Sequence, residues 1–228
     1  MGIKDRLTLF RVENLFFFRH HRPLLWSVNF SLNQGDILYL KGDNGVGKTT
    51  LLKILAGLLK ADSARFYMND DDITKNYHYL IKGNIAYIGH ENALSPSLSG
   101  IEHLQFWNKF YNCHYSDDEL ENIADKLKLL PILKGAVQCY SSGQKRKMAL
   151  LRLLFVSAKI WLLDEPFVGL DEKSVKIIKK MLGDHLKEGA IIFTDHGNIL
   201  EGYKALKTLS LQDLNSLNVP DMGKGALS

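Results

Sequence analysis

The stretch Gly42-Asp43-Asn44-Gly45-Val46-Gly47-Lys48-Thr49 fits the pattern G-x-x-x-x-G-K-S/T and decides the fold. It follows Ile37-Leu38-Tyr39-Leu40, an apolar run that predicts a buried strand, and precedes an amphipathic helical pattern over residues 51–59. The glycines allow successive N–H groups to point at one phosphate chain, and the helix adds its positive N-terminal end. The pattern therefore predicts an α/β protein that binds a nucleotide.

The last residues of this loop predict how phosphates would be held. The Lys48 ammonium is expected to bind the β- and γ-phosphates as a catalytic group, and the Thr49 hydroxyl is expected to ligate Mg²⁺. A glycine-rich turn with an accidental lysine is the alternative, and the flanking strand and helix count against it. The predicted binding residues are Gly42, Asp43, Asn44, Gly45, Val46, Gly47, Lys48, Thr49 and Thr50.

Two carboxylates end a later apolar run, Ile160-Trp161-Leu162-Leu163-Asp164-Glu165. A strand that ends in an acid beside a phosphate loop can hold Mg²⁺ through water, which is the role predicted for Asp164. Glu165 can polarise an attacking water and is the predicted catalytic base. A solvated strand end is the alternative, and the glycine-rich loop earlier in the chain favours the functional interpretation.

A third motif, Tyr140-Ser141-Ser142-Gly143-Gln144, opens a helical pattern before these acids. By itself it is an ordinary S-x-x-Q capping box at the start of a helix. Its place in the chain suggests more, because it follows the glycine-rich loop and a helical segment and precedes Asp164, Gly169-Leu170-Asp171 and His196. In this order of motifs the chain resembles the ATP-binding-cassette (ABC) ATPases.

The resemblance implies ATP and Mg²⁺ as cofactors and a head-to-tail pair of chains, either a homodimer or a pseudo-dimer. Each ATP would lie between the glycine-rich loop of one chain and the Ser141–Gln144 motif, called the signature in this family, of the other. Asp171 is implied to aid communication in the dimer, and His196 to contact the γ-phosphate as a catalytic residue. The signature residues implied to bind nucleotide are Ser141, Ser142, Gly143 and Gln144.

The resemblance extends over about residues 7–203 and implies an α/β P-loop NTPase fold, an ABC cassette with an antiparallel β subdomain and an inserted helical subdomain. We predict one ABC ATP-binding domain over residues 1–228, with a helical insert at about 92–157 and a loose tail at about 204–228. Within it, Ser116 and Glu119 predict a capping box, and residues 174–187 predict an amphipathic helix that Gly189 stops.

One departure from the family pattern is informative. Tyr87-Ile88-Gly89-His90-Glu91 places His90 where ABC proteins usually have glutamine. This variant is similar to the ATP-binding subunit of haem exporters in cytochrome c maturation, and it implies an ATPase subunit for haem export and cytochrome c biogenesis. His90 or Glu91 would then take the place of the glutamine near Mg²⁺, and we assign His90 as the metal residue; drift at a tolerant position is the alternative.

Other functions remain open at this point. The ATPase subunit of another ABC transporter is one alternative, which only the Tyr87–Glu91 variant and the compact length count against, and a soluble ABC ATPase of iron–sulfur cluster assembly is a further alternative. A P-loop kinase or GTPase would leave the signature and His196 without a role.

Composition limits the partners. Twenty-nine Lys and Arg against 25 Asp and Glu give a net charge of +4 without a basic stripe, so we predict no nucleic-acid partner. The most apolar stretch, residues 148–163, contains Arg152 and Lys159 and is too short and too charged to span a bilayer. We therefore expect integral membrane subunits as partners and a peripheral location at the cytoplasmic face of the inner (cell) membrane.

An aromatic side chain that stacks on adenine is expected upstream of the glycine-rich loop. Phe16, Phe17 and Phe18 are candidates, and we assign Phe18 to nucleotide binding. A place in the core is the alternative for each of them.

Overall fold

The computed structural model describes residues 8–195 and 206–212, which form two β-sheets and six α-helices. In chain order the elements are β1 (Thr8–Arg19), β2 (Arg22–Asn33), β3 (Ile37–Lys41), α1 (Lys48–Leu55), β4 (Ser63–Met68), β5 (Asp71–Asp72), α2 (Tyr77–Leu80), β6 (Ile85–Ile88), α3 (Gly100–Phe110), α4 (Asp117–Asp125), α5 (Ser142–Leu151), β7 (Ile160–Asp164), α6 (Glu172–His185), β8 (Ala190–Thr194) and β9 (Leu206–Ser210).

The first sheet is antiparallel and has the strand order β2-β1-β4-β5. In β2, Val28 and Leu32 are buried whereas Asn29 and Ser31 are exposed, because successive side chains of a strand point to opposite faces. The chain passes from β2 through a short turn into β3. The antiparallel sheet is thereby joined directly to the strand that carries the glycine-rich loop.

The second sheet is parallel and has the order β6-β7-β8-β3-β9. Every residue of β7 and β8 is buried, as expected for inner strands of a parallel sheet covered on both faces. The carboxyl ends of parallel strands meet at one edge, so the loop after β3 lies beside the ends of β7 and β8. This edge carries the predicted phosphate loop and both predicted acids.

The parallel sheet separates two apolar cores. Trp161 and Leu163 of β7 pack in the core shared with α3, α4 and α5, whereas Ile160 and Leu162 pack in the core shared with α1 and the antiparallel sheet. The alternation of β7 side chains thus holds the antiparallel and helical parts on opposite faces of one sheet. This arrangement confirms the predicted α/β fold with an antiparallel β part and a helical part.

The segment predicted to be helical from about residue 92 does contain helices, but the first of them begins later in the chain. Residues 92–99 are irregular, and α3 begins at Gly100 with a capping box between Ser99 and Glu102. The predicted capping box of Ser116 and Glu119 is present at the start of α4. Because a cap fixes the first turn, these serines determine where both helices begin.

The prediction of a loose tail from about residue 204 is wrong for Leu206–Ser210, which form β9. β9 pairs with β3 in parallel register, from Ile37 opposite Leu206 to Lys41 opposite Ser210. The mixed pattern Leu-Lys-Thr-Leu-Ser is typical of an edge strand, which carries polar residues and lacks the continuous apolar run of an inner strand. Leu211, directly after it, is fully buried.

Gly189→Ala should destabilise the fold. Gly189 follows α6, and a Cβ there would lie 2.4 Å from the Lys159 carbonyl oxygen and 2.4 Å from His185 Nε2. We expect a loss of about 1–3 kcal/mol in the free energy of unfolding, measured by urea denaturation. Gly183→Ala is the control, because a Cβ at Gly183 in α6 meets nothing within 4 Å, and it should be neutral or stabilising. Equal stability of the two variants would contradict the close approach at Gly189.

Candidate nucleotide-binding and hydrolysis site

The glycine-rich loop connects β3 to α1, and its last glycine fixes the entry to the helix. Gly47 precedes α1 with a φ of 111°, a left-handed conformation that disfavours residues with a Cβ. A Cβ at Gly47 would also lie 2.9 Å from Leu25 Cδ2 and 3.3 Å from Leu24 Cγ of β2. The loop therefore packs against the antiparallel sheet, with the amino end of α1 directly behind it.

Lys48 is turned back onto this loop. Its Nζ donates to the carbonyl oxygens of Gly42, at 2.6 Å, and Asp43, at 3.1 Å. The positive charge thus lies at the loop rather than in bulk solvent. A phosphate chain in the loop would meet both this charge and the positive end of α1.

Thr49 and Asp164, the two residues predicted to hold Mg²⁺ on this loop and on β7, lie in contact. Thr49 Oγ1 donates to Asp164 Oδ2 at 2.8 Å, and Thr194 Oγ1 donates to Asp164 Oδ1 at 2.6 Å. Asp164 is 2% exposed. Hydroxyl and carboxylate oxygens suit Mg²⁺, which keeps several water ligands and binds nucleotide phosphates. Across residues 8–195 and 206–212, no group of three or more His, Cys, Asp or Glu residues forms a metal site.

Glu165, the predicted base, has an unusual backbone conformation. Its φ is 53°, in the left-handed region, and its N–H donates to the Thr194 carbonyl at 3.2 Å and to Thr194 Oγ1 at 3.0 Å. These bonds hold a conformation that costs a non-glycine residue about 1–2 kcal/mol. The carboxylate of Glu165 is 21% exposed and Oε2 lies 3.5 Å from His90 Nδ1.

His90 therefore lies beside the predicted base, and it lines one groove together with Thr49. Its side chain is 71% exposed, and it follows Gly89 at the end of β6. A Cβ at Gly89 would lie 2.8 Å from the Tyr87 hydroxyl oxygen, so a larger residue there would displace the Tyr87 ring. Burial raises the pKa of Tyr87 to about 12, so this hydroxyl is neutral at physiological pH.

The Ser141–Gln144 motif forms the capping box that its pattern predicts. Ser141 Oγ accepts from the Gln144 N–H at 3.2 Å, and Gln144 Oε1 accepts from the Ser141 N–H at 2.8 Å. In the described part of the chain, no hydrogen bond joins Ser141–Gln144 to the Gly42–Thr49 loop. The two predicted nucleotide-binding motifs are thus not linked directly within one chain.

The motif instead contacts the Gly169–Asp171 segment. A Cβ at Gly143 would lie 2.4 Å from the Gly169 carbonyl oxygen, so the two backbones touch. Lys147 Nζ donates to Asp171 Oδ2 at 2.9 Å, and Asp171 caps α6 by accepting from the Ser174 N–H. These bonds, that of Lys147 first, hold the pKa of Asp171 well below its usual range.

Phe18 lies in an aromatic cluster on the antiparallel sheet. Its ring meets Trp26 edge-on with centroids 6.1 Å apart, and Phe16 meets the same indole at 5.0 Å. Phe17 packs against the core instead. The assignment of Phe18 to adenine stays a prediction. His196 lies outside the described residues, which here end at Asp195, just after β8.

Comparison with known proteins decides the family. The family model described as ABC transporter matches residues 25–168, which is more than half of the chain. The chain belongs to the ABC transporter family of ATPases.

Curated relatives match this ABC ATPase over most of its length. Proteins named "Cytochrome c biogenesis ATP-binding export protein CcmA" are 33% identical in Mannheimia succiniciproducens, covering 83% of this chain and 88% of the relative, and 38% identical in Legionella pneumophila, covering 82% and 92%. A solved Pyrococcus furiosus protein described as an ABC transporter ATP-binding protein is 25% identical, with a TM-score of 0.74, and the match covers 90% of this chain and 98% of that one.

Two residues of the candidate site were not anticipated from sequence. Thr194 ends β8 directly opposite Asp164. The sequence signal that could have indicated it is a polar residue at the end of a buried strand, next to a strand that ends in an acid. Arg146 is 4% exposed and shares a helical face with buried Leu150 and Leu153. A charged residue in line with an apolar face was the available signal.

Lys48→Ala should weaken the binding of ATP, because it removes the ammonium that lies at the glycine-rich loop. Titration calorimetry with MgATP measures the effect, with an expected loss of about 10-fold or more, of the size of a charged hydrogen bond. Lys60→Ala removes an exposed cation beyond α1 and should bind ATP like the parent. Undiminished affinity of the Lys48 variant would remove the basis for its assigned role.

Proposed function

We propose that this ABC ATPase is the ATP-hydrolysing subunit of a transporter that exports haem for cytochrome c biogenesis. The observation that carries the proposal is the similarity to proteins named cytochrome c biogenesis ATP-binding export protein, at 30–38% identity over nearly their whole length. The Tyr87–Glu91 segment supports it, because it has His90 in place of the usual glutamine, which resembles the haem-exporter pattern.

The chain, as one cassette domain, provides half of each nucleotide site. We propose that ATP binds at Gly42–Thr49, with Phe18 against adenine, and that a second copy or a homologous chain supplies Ser141–Gln144. The contact between Gly143 and Gly169 supports this, because the signature and the Asp171 segment form one continuous surface. Closure of two such surfaces on ATP would exclude water and complete the donors around the γ-phosphate.

Hydrolysis would use groups at the carboxyl edge of the parallel sheet. Mg²⁺, held by Thr49 and through water by Asp164, would neutralise phosphate charge. Glu165 would accept a proton from the attacking water, and Lys48 and His196 would stabilise charge on the γ-phosphate. His90 lies 3.5 Å from the Glu165 carboxylate, and we propose that His90, or Glu91 beside it, takes the place of the usual glutamine near Mg²⁺.

A groove beside this edge supports a docking face for integral membrane subunits. It has a volume of about 700 Å³ and opens between α1 and the loop after β6. Leu58 at its rim is 66% exposed, which is unusual for a large apolar side chain. Residues that line the groove include Lys53, Ala56, Leu58, His90, Glu91 and Ala93.

No helix in the described ranges has the length and apolarity to cross a bilayer. We propose a peripheral location at the cytoplasmic face of the inner (cell) membrane.

Glu165→Gln should bind MgATP but hydrolyse it at least about 100-fold more slowly, because the amide cannot accept the proton of the attacking water. ATP-bound dimers should accumulate, as measured by light scattering after gel filtration. Glu188→Gln, at an exposed ion pair with Lys159, is the control and should behave like the parent. Hydrolysis at the parental rate by the Glu165 variant would contradict the assignment of the base.

Cells that depend on this chain should lose c-type cytochromes when it carries Lys48→Ala. Haem-stained gels would report covalently attached haem, and b-type cytochromes in the same membranes are the control. Loss of c-type cytochromes alone supports the proposal. Retention of c-type cytochromes, or loss of iron–sulfur enzymes instead, would contradict it.

A further inference from the structure

The peptide between Asp164 and Glu165 is fixed at both ends. Its N–H donates to the carbonyl and the hydroxyl of Thr194, at 3.2 Å and 3.0 Å. Its carbonyl oxygen accepts a hydrogen bond from Arg146 Nη2 of helix α5. The rotation of this peptide plane sets the left-handed φ of Glu165, and thus where its side chain points.

The same guanidinium holds the loop that carries His90 and Glu91. Arg146 Nη1 donates to the Gly89 carbonyl at 2.7 Å and to Asn92 Oδ1 at 3.2 Å. These two acceptors lie immediately before and after His90 and Glu91 in the chain. One buried side chain thus connects α5, the loop after β6 and the end of β7.

The chemistry of arginine suits this position. Burial lowers the pKa of the Arg146 guanidinium, while the nearby Asp164 and Glu165 carboxylates favour its charged form. Its planar fork donates to acceptors in two directions at fixed angles, whereas the ammonium of lysine is a compact point charge. Lysine would retain the charge but not the simultaneous contacts to Gly89 and Asp164.

Resting on the proposed function, we propose that Arg146 is the positioning residue that fixes Glu165 for hydrolysis and ties its orientation to the loop of residues 89–92. Arg146 acts through the Asp164 carbonyl and does not itself touch the nucleotide. A displacement of the 89–92 loop, which lines the proposed docking groove, would therefore be transmitted to the Asp164–Glu165 peptide.

The test is steady-state ATP hydrolysis by the complex of the full chain with its membrane partner, comparing the parent with Arg146→Lys. We expect kcat to fall by about 10- to 100-fold, because a displacement of about 1 Å at a catalytic group has effects of this size. KM for ATP should stay within about 2-fold of the parental value. The interaction of Glu165 with the attacking water contributes only in the transition state, so its loss lowers kcat without changing KM. The glycine-rich loop is untouched.

Two further variants separate positioning from stability. Asn92→Ala removes only the 3.2 Å contact and should lower kcat by about 2- to 5-fold, as for one hydrogen bond, again with KM unchanged. Leu150→Val, fully buried on the same helix, should lower the free energy of unfolding by about 1 kcal/mol and leave kcat unchanged.

The outcomes are distinct. A parental kcat in the Arg146→Lys variant overturns the inference. An equal loss of kcat in the Leu150→Val variant, at the same thermal stability as the Arg146→Lys variant, also overturns it, because the loss then follows from stability alone. If Arg146→Lys does not fold, Asn92→Ala decides, and a parental kcat in that variant overturns the inference. Absence of ATP hydrolysis by the parental complex would contradict the proposed function instead, because its three Arg146 contacts are intact.

Discussion

The site depends on the buried carboxylate of Asp164. Both oxygens must be satisfied, because an unpaired buried charge is costly, and the two partners are hydroxyls on different elements. Thr49 donates from the start of α1 and Thr194 from the end of β8. The glycine-rich loop, β7 and β8 are therefore held in one register at the edge of the sheet where a nucleotide would be bound and hydrolysed.

Around this carboxylate, the backbone is held by Thr194 on one side and by the Arg146 side chain on the other. Thr194 both supports Asp164 and holds the N–H of Glu165, so one threonine orients both acids. At the amino end of α5, the backbones of Gly143 and Gly169 touch, which couples the signature to the Asp171 segment. Displacement of α5 would thus reach the predicted catalytic base and the predicted dimer surface together.

Local sequence was sufficient for the features that local chemistry determines. The Gly42–Thr49 loop, the buried strand before Asp164 and the capping box at Ser116 all follow from neighbouring residues, and the structure contains them. β9 was not predicted because an edge strand forms by pairing with a neighbouring strand, here β3. Its own pattern, with Lys207 and Thr208 between leucines, does not distinguish it from a loop.

The missed site residues depend on register and helix orientation. Thr194 meets Asp164 only because β8 pairs with β7 in one particular parallel register. Arg146 reaches Asp164, 18 residues away, and Gly89, 57 residues away, only because α5 packs across the end of the sheet. The prediction that Gly189 stops the helix over residues 174–187 is wrong, because α6 ends at His185, and Gly189 instead permits the close approach of the Lys159 carbonyl.

If one chain carries half of each nucleotide site, a bound nucleotide must contact two chains. The decisive measurement is a structure of the full chain with its membrane partner, determined with Mg²⁺ and a non-hydrolysable ATP analogue. We expect the phosphates on Gly42–Thr49 of one copy and on Ser141–Gln144 of the other, with Thr49 at the metal. A nucleotide enclosed by one chain alone, with the second copy's signature facing solvent, would contradict it.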